Sequence, residues 1–361
     1  MLSVFSDVRT TIVFIVMFTL IVAVHEFGHF AAARLLGMKV LEFAFGFPPR
    51  LAGIRRGETE YTINWIPFGG FVRILGQDDF AIRQQGTGDP RSFTSKPWWA
   101  QALVLVAGVV MNFVLAFAVL TVSFEVGATG PSGEVRVAEV SPGSPAEGAG
   151  IKPGDIIRTA DSTPIKVPSQ VVAISTRAAE RGRDVTLLLE RGGTALPPVT
   201  VTPRASPPSG EGPIGMKLDD QQPISVPLPQ AASQSANLIG EVVGQIATLP
   251  AQLVAQRASP STPPVVGGPI EIFRVTGQVA QYGLPAVLKL IGILSVNLGV
   301  INIIPFPGLD GGRLLFVLIG GIFRRRLSPQ VEAAIHAVGF LLLIGLLVVV
   351  SISDVRRAIG G

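Results

Sequence analysis

Histidine is scarce in this chain, with three among 361 residues. Two of them stand four apart in His25-Glu26-Phe27-Gly28-His29. On a helix, positions i and i+4 share a face, so both imidazoles can point at one metal ion. Glu26, next to His25, is placed to take a proton from an attacking water and pass it to a leaving amine, rather than to ligate. That is the chemistry of a metal-assisted hydrolase, and Zn2+ is the ion it suits. The surroundings sharpen the reading. Residues 10–33 carry no Lys, Arg or Asp, and an ionisable group inside an apolar span is costly unless it has a partner.

Such a site needs a third protein ligand and one open position. The chain has no cysteine, which excludes thiolate ligation, thiol catalysis and disulfides. Two candidates remain, His336 in the last apolar run and Asp310 in Asn302-Ile303-Ile304-Pro305-Phe306-Pro307-Gly308-Leu309-Asp310-Gly311-Gly312. His336 reads more readily as a helix–helix hydrogen bond or an interfacial residue. Asp310 is favoured. Pro305 and Pro307 break the helix, the glycines let backbone come close, and non-helical backbone at membrane depth belongs where it lines a cavity.

The elements that must position these residues follow from composition. The chain is 15% charged and 48% hydrophobic, against about 25% charged in ordinary globular chains. The apolar residues fall in blocks: 10–33, 98–124, 290–309 and 333–353. Each is long enough, at about 1.5 Å per helical residue, to cross a bilayer core. This excludes a purely soluble enzyme and a disordered or fibrous chain. The net charge of +4 fits membrane-flanking basic residues, and no Lys/Arg-rich run with interleaved aromatics indicates a nucleic-acid partner. Ala31-Ala32-Ala33 could pass for a signal-peptide cleavage site, but the His-Glu-His cluster interrupts the approach and the n-region is poor, so the first span is read as retained.

Basic residues are in excess over 38–97, and Arg324-Arg325-Arg326 follows the third span. Short loops rich in Lys and Arg stay on the cytoplasmic side, so the long segment from about 126 to 283 faces outward. Arg356 and Arg357 fall on the wrong side of that assignment. Residues 40–47 and 61–66 read as aromatic and β-branched strands around the polar turn Arg55-Arg56-Gly57-Glu58, with Pro48-Pro49, Pro67 and Gly69-Gly70 as punctuation. Residues 133–157 run strand, turn, short helix, Gly exit and strand. Residues 204–213 and 259–264 are Pro/Ser-rich linkers. Between them, Leu238, Ile239, Val242, Val243, Ile246 and Leu249 form one face of a helix too polar to span, expected to pack on the outward domain or lie on the membrane surface.

The stretch Ser144-Pro145-Ala146-Glu147-Gly148-Ala149-Gly150-Ile151-Lys152-Pro153-Gly154-Asp155-Ile156-Ile157 resembles a PDZ domain of the bacterial permuted type. Taken with the His25–His29 motif and the Asn302–Gly312 motif, the whole chain resembles the site-2 protease family of intramembrane zinc metalloproteases, in its bacterial regulator-of-sigma-E branch. The resemblance implies zinc on His25, His29 and Asp310, Glu26 as general base, and Asn302, Pro305 and Pro307 as substrate-binding. Gly108 and Asn112 match the family's second-span motif. The 40–74 strands resemble its membrane-associated β-hairpin, which implies that Asn64, Gly69 and Gly70 also meet unwound substrate. Many relatives of that branch carry two PDZ domains, whereas this chain has room for one.

The expected fold is a polytopic α-helical membrane protein of about four transmembrane helices, with a cytoplasmic-side membrane-associated β-hairpin and an inserted PDZ-like α+β domain. The parts are a first helix in 1–37, the hairpin in 38–97, a second helix in 98–125 and a PDZ-like domain in 128–204. Linkers and an amphipathic helix in 205–283, a third segment in 284–323 and a fourth helix in 331–354 complete it. The resemblance implies hydrolysis within or near the spans of single-pass membrane proteins, of anti-sigma-factor or remnant-signal-peptide type. An upstream site-1-type protease would cut first. The place implied is the inner (plasma) membrane, in contact with the lipid bilayer, with the PDZ-like domain outside. The competing readings are an intramembrane zinc transporter or sensor and an inactive PDZ scaffold.

Overall fold

The computed structural model describes residues 8–77, 88–127, 129–208, 211–223, 225–256, 268–323 and 328–360. The basic run 324–326 and the linker stretch 259–264 lie outside the described residues. In chain order the elements are α1 (Val8–Leu35), β1 (Val40–Arg56), β2 (Thr59–Ile74), α2 (Trp98–Val126), β3 (Thr129–Val140), α3 (Pro145–Gly148), β4 (Ile156–Ala160), β5 (Thr163–Pro164), α4 (Pro168–Glu180) and β6 (Val185–Arg191). There follow β7 (Thr194–Ala195), β8 (Val199–Val201), β9 (Met216–Pro223), α5 (Leu228–Gln256), α6 (Pro269–Ala280), α7 (Leu284–Ile303), α8 (Asp310–Ile322) and α9 (Pro329–Gly360). The chain divides into two compact units, one of residues 1–125 with 227–361 and the other of 126–226.

Among the described residues, four helical stretches are long and apolar enough to cross a membrane: Val8–Leu35, Trp98–Val126, Leu284–Ile303 and Gln330–Arg356. Small residues let the first two touch. A Cβ on Gly28 would overlap the Ala107 carbonyl and stand 2.9 Å from the Gly108 Cα. Between apolar helices in lipid, such close backbone approach does the work that hydrophobic burial does in water. Phe14, Met17 and Ile21 of α1 pack with Phe273 of α6 and Ile291 of α7. Residues 304–309 leave the helical path between α7 and α8. Two prolines there remove backbone donors, and Gly308 adopts φ +98°.

The two long strands β1 and β2 each fold at their punctuation. Residues 43–45 pair on one side with 70–72 and on the other with 61–63, while 50–56 pair with 59–64. Four short segments therefore lie side by side, in the order 50–56, 59–64, 40–47 and 70–74. The inner end is anchored: Val40, Phe43, Val72 and Ile74 are buried with Ala33, Val104 and Leu105. The outer end shows Leu51, Ile54, Ile63, Trp65 and Ile66 to the surroundings.

Helix α5 differs from the expectation that it packs on the outward domain or rests on the membrane surface. Its stripe of Leu238, Ile239, Val242, Val243 and Ile246 meets Phe113 and Ala116 of α2 and Ile293, Val296 and Val300 of α7. Thr121 donates a hydrogen bond to Ser235 at 3.2 Å. An amphipathic stripe specifies that one face is covered, and the membrane helices supplied the cover.

In the second unit, a sheet runs β7-β6-β4-β3-β9, with β5 on β4 and β8 on β6, all antiparallel. Val135, Val137, Ile157, Leu187 and Leu189 form its core with Val171 and Ala178 of α4. Ser144 caps α3 by accepting the Glu147 N–H at 3.2 Å. Asp155 is clamped by Arg191, with contacts of 2.6 and 2.7 Å, and accepts the Lys152 N–H at 2.9 Å.

Candidate metal centre

The i, i+4 spacing on α1 puts His25 and His29 on one face, and the turn after α7 brings Asp310 to them. His25 Nε2 lies 3.0 Å from Asp310 Oδ2, His29 Nε2 lies 3.2 Å from the same oxygen, and the two Nε2 atoms are 3.1 Å apart. A tetrahedral ion about 2.0–2.1 Å from each ligand separates its ligands by about 3.3 Å. The three atoms thus form one face of a zinc-sized tetrahedron, and the donor set fits the ion. Both imidazoles are buried.

The far side of each ring is also held. The His29 Nδ1 is 2.8 Å from the Val104 carbonyl, which can only accept, so this nitrogen carries the proton and Nε2 is free to ligate. The Asn112 amide is fully buried and lies 3.1 Å from His25 Nδ1. The amide nitrogen is the atom placed nearest the ring, and its Oδ1 is left buried without a partner; exchanging the two lets Oδ1 accept the Nδ1 proton and frees Nε2 in the same way. Ser295 donates to the main-chain carbonyl of Asn112 at 2.9 Å, fixing this point of α2. Gly108 must stay bare. A Cβ there would overlap the His29 ring and stand 2.9 Å from His25 Cε1.

Glu26 sits one residue along α1, partly buried beneath the hairpin. A Cβ on Gly70 would stand 3.7 Å from Glu26 Cγ and 2.7 Å from the Ala44 carbonyl. The strand therefore crosses α1 at the glutamate with no room for a side chain. The Asn302 amide lies 3.3 Å from His25 Nε2, at the edge of the same cluster. Pro305 and Pro307 shape the loop that leads to Asp310. Asn64 is elsewhere: its amide is buried and donates to the Gly46 carbonyl at 3.1 Å, tying the hairpin together. Gly69 has φ +89° with the Phe47 ring against it. His336, weighed in the sequence as a ligand, accepts the Gly308 N–H at 2.9 Å and joins Asp310 through that loop rather than through a shared ion.

Asn112 and Val104 complete the surroundings of the histidines. A lone amide inside an apolar run was the signal for Asn112, whereas a backbone carbonyl such as that of Val104 leaves no letter in a sequence.

An apolar helical frame, three converging ligand atoms and an adjacent carboxylate define the class as a membrane-embedded metallohydrolase. The comparisons with known proteins carry this further. Residues 13–346 match peptidase family M50, and the chain belongs to that family, the site-2 proteases. A Clostridium perfringens protein named by inference as a zinc metalloprotease is 36% identical over 342 residues, 94% of this chain and 96% of that one. A similarly named protein of Clostridium acetobutylicum is 31% identical over 346 residues, 95% and 96% of the two chains. The regulator of sigma-W protease RasP of Bacillus subtilis is 27% identical over 425 residues, 97% and 99% of the two chains. The chain is a zinc metalloprotease and an integral membrane protein.

Proposed function

We propose that this protease hydrolyses peptide bonds within or near the spans of single-pass membrane proteins, of anti-sigma-factor or remnant-signal-peptide type, after an upstream protease has made a first cut. The observation that carries the reading is the 3.0–3.2 Å triangle of His25, His29 and Asp310 among apolar helices, with Glu26 beside it. The name of the Bacillus subtilis relative, a regulator of sigma-W protease, supports the substrate class.

His25, His29 and Asp310 would hold the zinc. When bound, the ion supplies a Lewis acid that polarises the scissile carbonyl and makes water acidic enough to attack near neutral pH. Glu26 Oε accepts the proton of the attacking water and delivers it to the leaving amine nitrogen. Val104 and Asn112 fix the imidazole tautomers so that neither ring competes for that proton.

A transmembrane helix hides its amides in its own hydrogen bonds, so a substrate must unwind before attack. The segment 70–74 is an edge of the hairpin sheet and passes over Glu26. Strand addition there would replace the substrate's lost bonds at the point of cleavage. Gly70 keeps that edge close to α1 and Gly69 supplies the positive-φ turn into it, the Asn302 amide holds substrate backbone at the metal side, and Pro305 and Pro307 keep the opposing loop extended. Asn64 contributes by stiffening the hairpin. The second unit acts as a PDZ-like domain outside the inner membrane, selecting substrates whose outer part has been trimmed.

The test uses the purified protein in liposomes with a trimmed single-span reporter, the products being mapped by mass spectrometry. The proposal predicts cuts within or at the edge of the span, abolished by chelation and restored by Zn2+. Cuts confined to soluble loops would overturn it, as would zinc flux across the vesicle without cleavage.

A further inference from the structure

The fourth span is held in an unusual way. Among the described residues of α9, only His336, Gly339 and Asp354 are buried. Both polar ones accept a backbone N–H. His336 Nδ1 takes that of Gly308 at 2.9 Å, and Asp354 takes that of Glu271 at 3.3 Å. They stand about 27 Å apart along the helix. Lipid tails are as apolar as leucine, so a lipid-facing helix is oriented by polar bonds and close backbone contact rather than by apolar burial.

Near His336 the helix meets the loop and helix that present Asp310. A Cβ on Gly339 would overlap the Pro307 carbonyl, and a Cβ on Gly308 would stand 3.1 Å from the Phe340 nitrogen. The imidazole lies edge-on to Phe316 of α8, with centroids 5.5 Å apart and planes at 84°. A backbone N–H can only donate, so Nδ1 is the acceptor and the ring proton sits on Nε2. Within the loop, Phe306 N–H bonds the Ile304 carbonyl at 2.7 Å and Leu309 N–H bonds the Phe306 carbonyl at 3.1 Å. The Gly308 N–H between them is taken by His336, two residues before the carboxylate.

We propose that His336 is a positioning residue for the metal site: by holding the Gly308 N–H it fixes the loop that presents Asp310, and so sets the affinity for zinc. The proposal rests on Asp310 being a zinc ligand. Loss of a partner that orients a metal ligand typically costs about 10–100-fold in metal affinity.

The experiment measures zinc affinity of the full-length protein in detergent by chelator competition, with the visible spectrum of the cobalt-substituted form as a second readout. His336→Leu removes the acceptor. It should lose about 10–100-fold in affinity and alter the cobalt spectrum. His336→Asn keeps an acceptor oxygen near the place of Nδ1 and should recover most of the loss. Asp354→Leu removes the acceptor at the other end of the same helix, far from the loop, and should leave affinity unchanged. The proposal is overturned if His336→Leu binds zinc as the wild type does while Asp310→Asn does not. Equal losses in the His336→Leu and His336→Asn variants, or a matching loss in Asp354→Leu, would also overturn it. Wild-type affinity in Asp310→Asn would instead remove the ligand assignment on which it rests.

Discussion

Asp155 and Asp310 are acidic residues withdrawn from the surroundings in two different units, the first fully and the second with 22% of its side chain exposed, and each has a different answer to the cost of a shielded charge. Asp155, its side chain fully shielded, is gripped by the Arg191 guanidinium through both oxygens. Burial alone would raise its pKa. The Arg191 hydrogen bonds, the Lys152 N–H and the two side-chain charges outweigh that and hold it below the ordinary carboxylate value. Asp310 has His25 and His29 as its ion-pair partners, and an imidazole carries charge only when protonated. The first carboxylate has a permanent counter-charge and is closed. The second shares its oxygen with two nitrogens that all point to one spot, an arrangement completed by a cation. The two carboxylates differ in the permanence of the counter-charge, fixed at Asp155 and dependent on imidazole protonation at Asp310.

The largest expected effect breaks the open side of this comparison. Asp310→Asn, His25→Ala or His29→Ala each removes a proposed ligand, and zinc measured by atomic emission should fall to background with loss of cleavage. Thermal unfolding of the 126–226 unit should not move. Next is Gly108→Ala, which adds a methyl where the His29 ring lies. Zinc affinity by chelator competition should drop by at least about tenfold.

The closed side should respond in the opposite sense. Asp155→Asn should destabilise the second unit by about 1–3 kcal/mol, the range for losing a charge-assisted buried bond, as read from hydrogen exchange of β4 and β6. Zinc content and cleavage should remain. The smallest effect is the pH dependence. Asp155 has a lowered pKa when folded, so its stabilising contribution is complete above the unfolded value of about 3.9. It is lost as pH falls through the lowered folded value. Wild-type exchange in β4 should accelerate over that acid range, and Asp155→Asn should flatten the dependence.

How much of this the sequence revealed depended on the chemical cost of each letter. His25, Glu26, His29 and Asp310 stood out because ionisable residues among apolar ones demand an explanation. Pro305 and Pro307 announced the break between α7 and α8, and Pro48-Pro49, Pro67 and Gly69-Gly70 marked where each long strand folds. The resulting side-by-side order of four segments was hidden, since register depends on pairing partners far away in the chain. The stripe on α5 was legible as a face, but nothing in it named α2 and α7 as the surface it meets. His336 was legible as a polar residue in a span. Its bond to Gly308 was hidden because the donor is main chain. For the same reason the Val104 carbonyl behind His29 left no trace.

The proposed division of labour gives zinc to His25, His29 and Asp310 and the proton to Glu26. Glu26→Gln is nearly isosteric and removes no ligand, so one preparation in liposomes can be assayed both for zinc and for cleavage of a single-span reporter. Zinc occupancy should be full and cleavage reduced by about 10²–10⁴-fold, the usual worth of a general acid–base group. A Glu26→Gln protein that holds zinc and cuts at the wild-type rate would contradict that division.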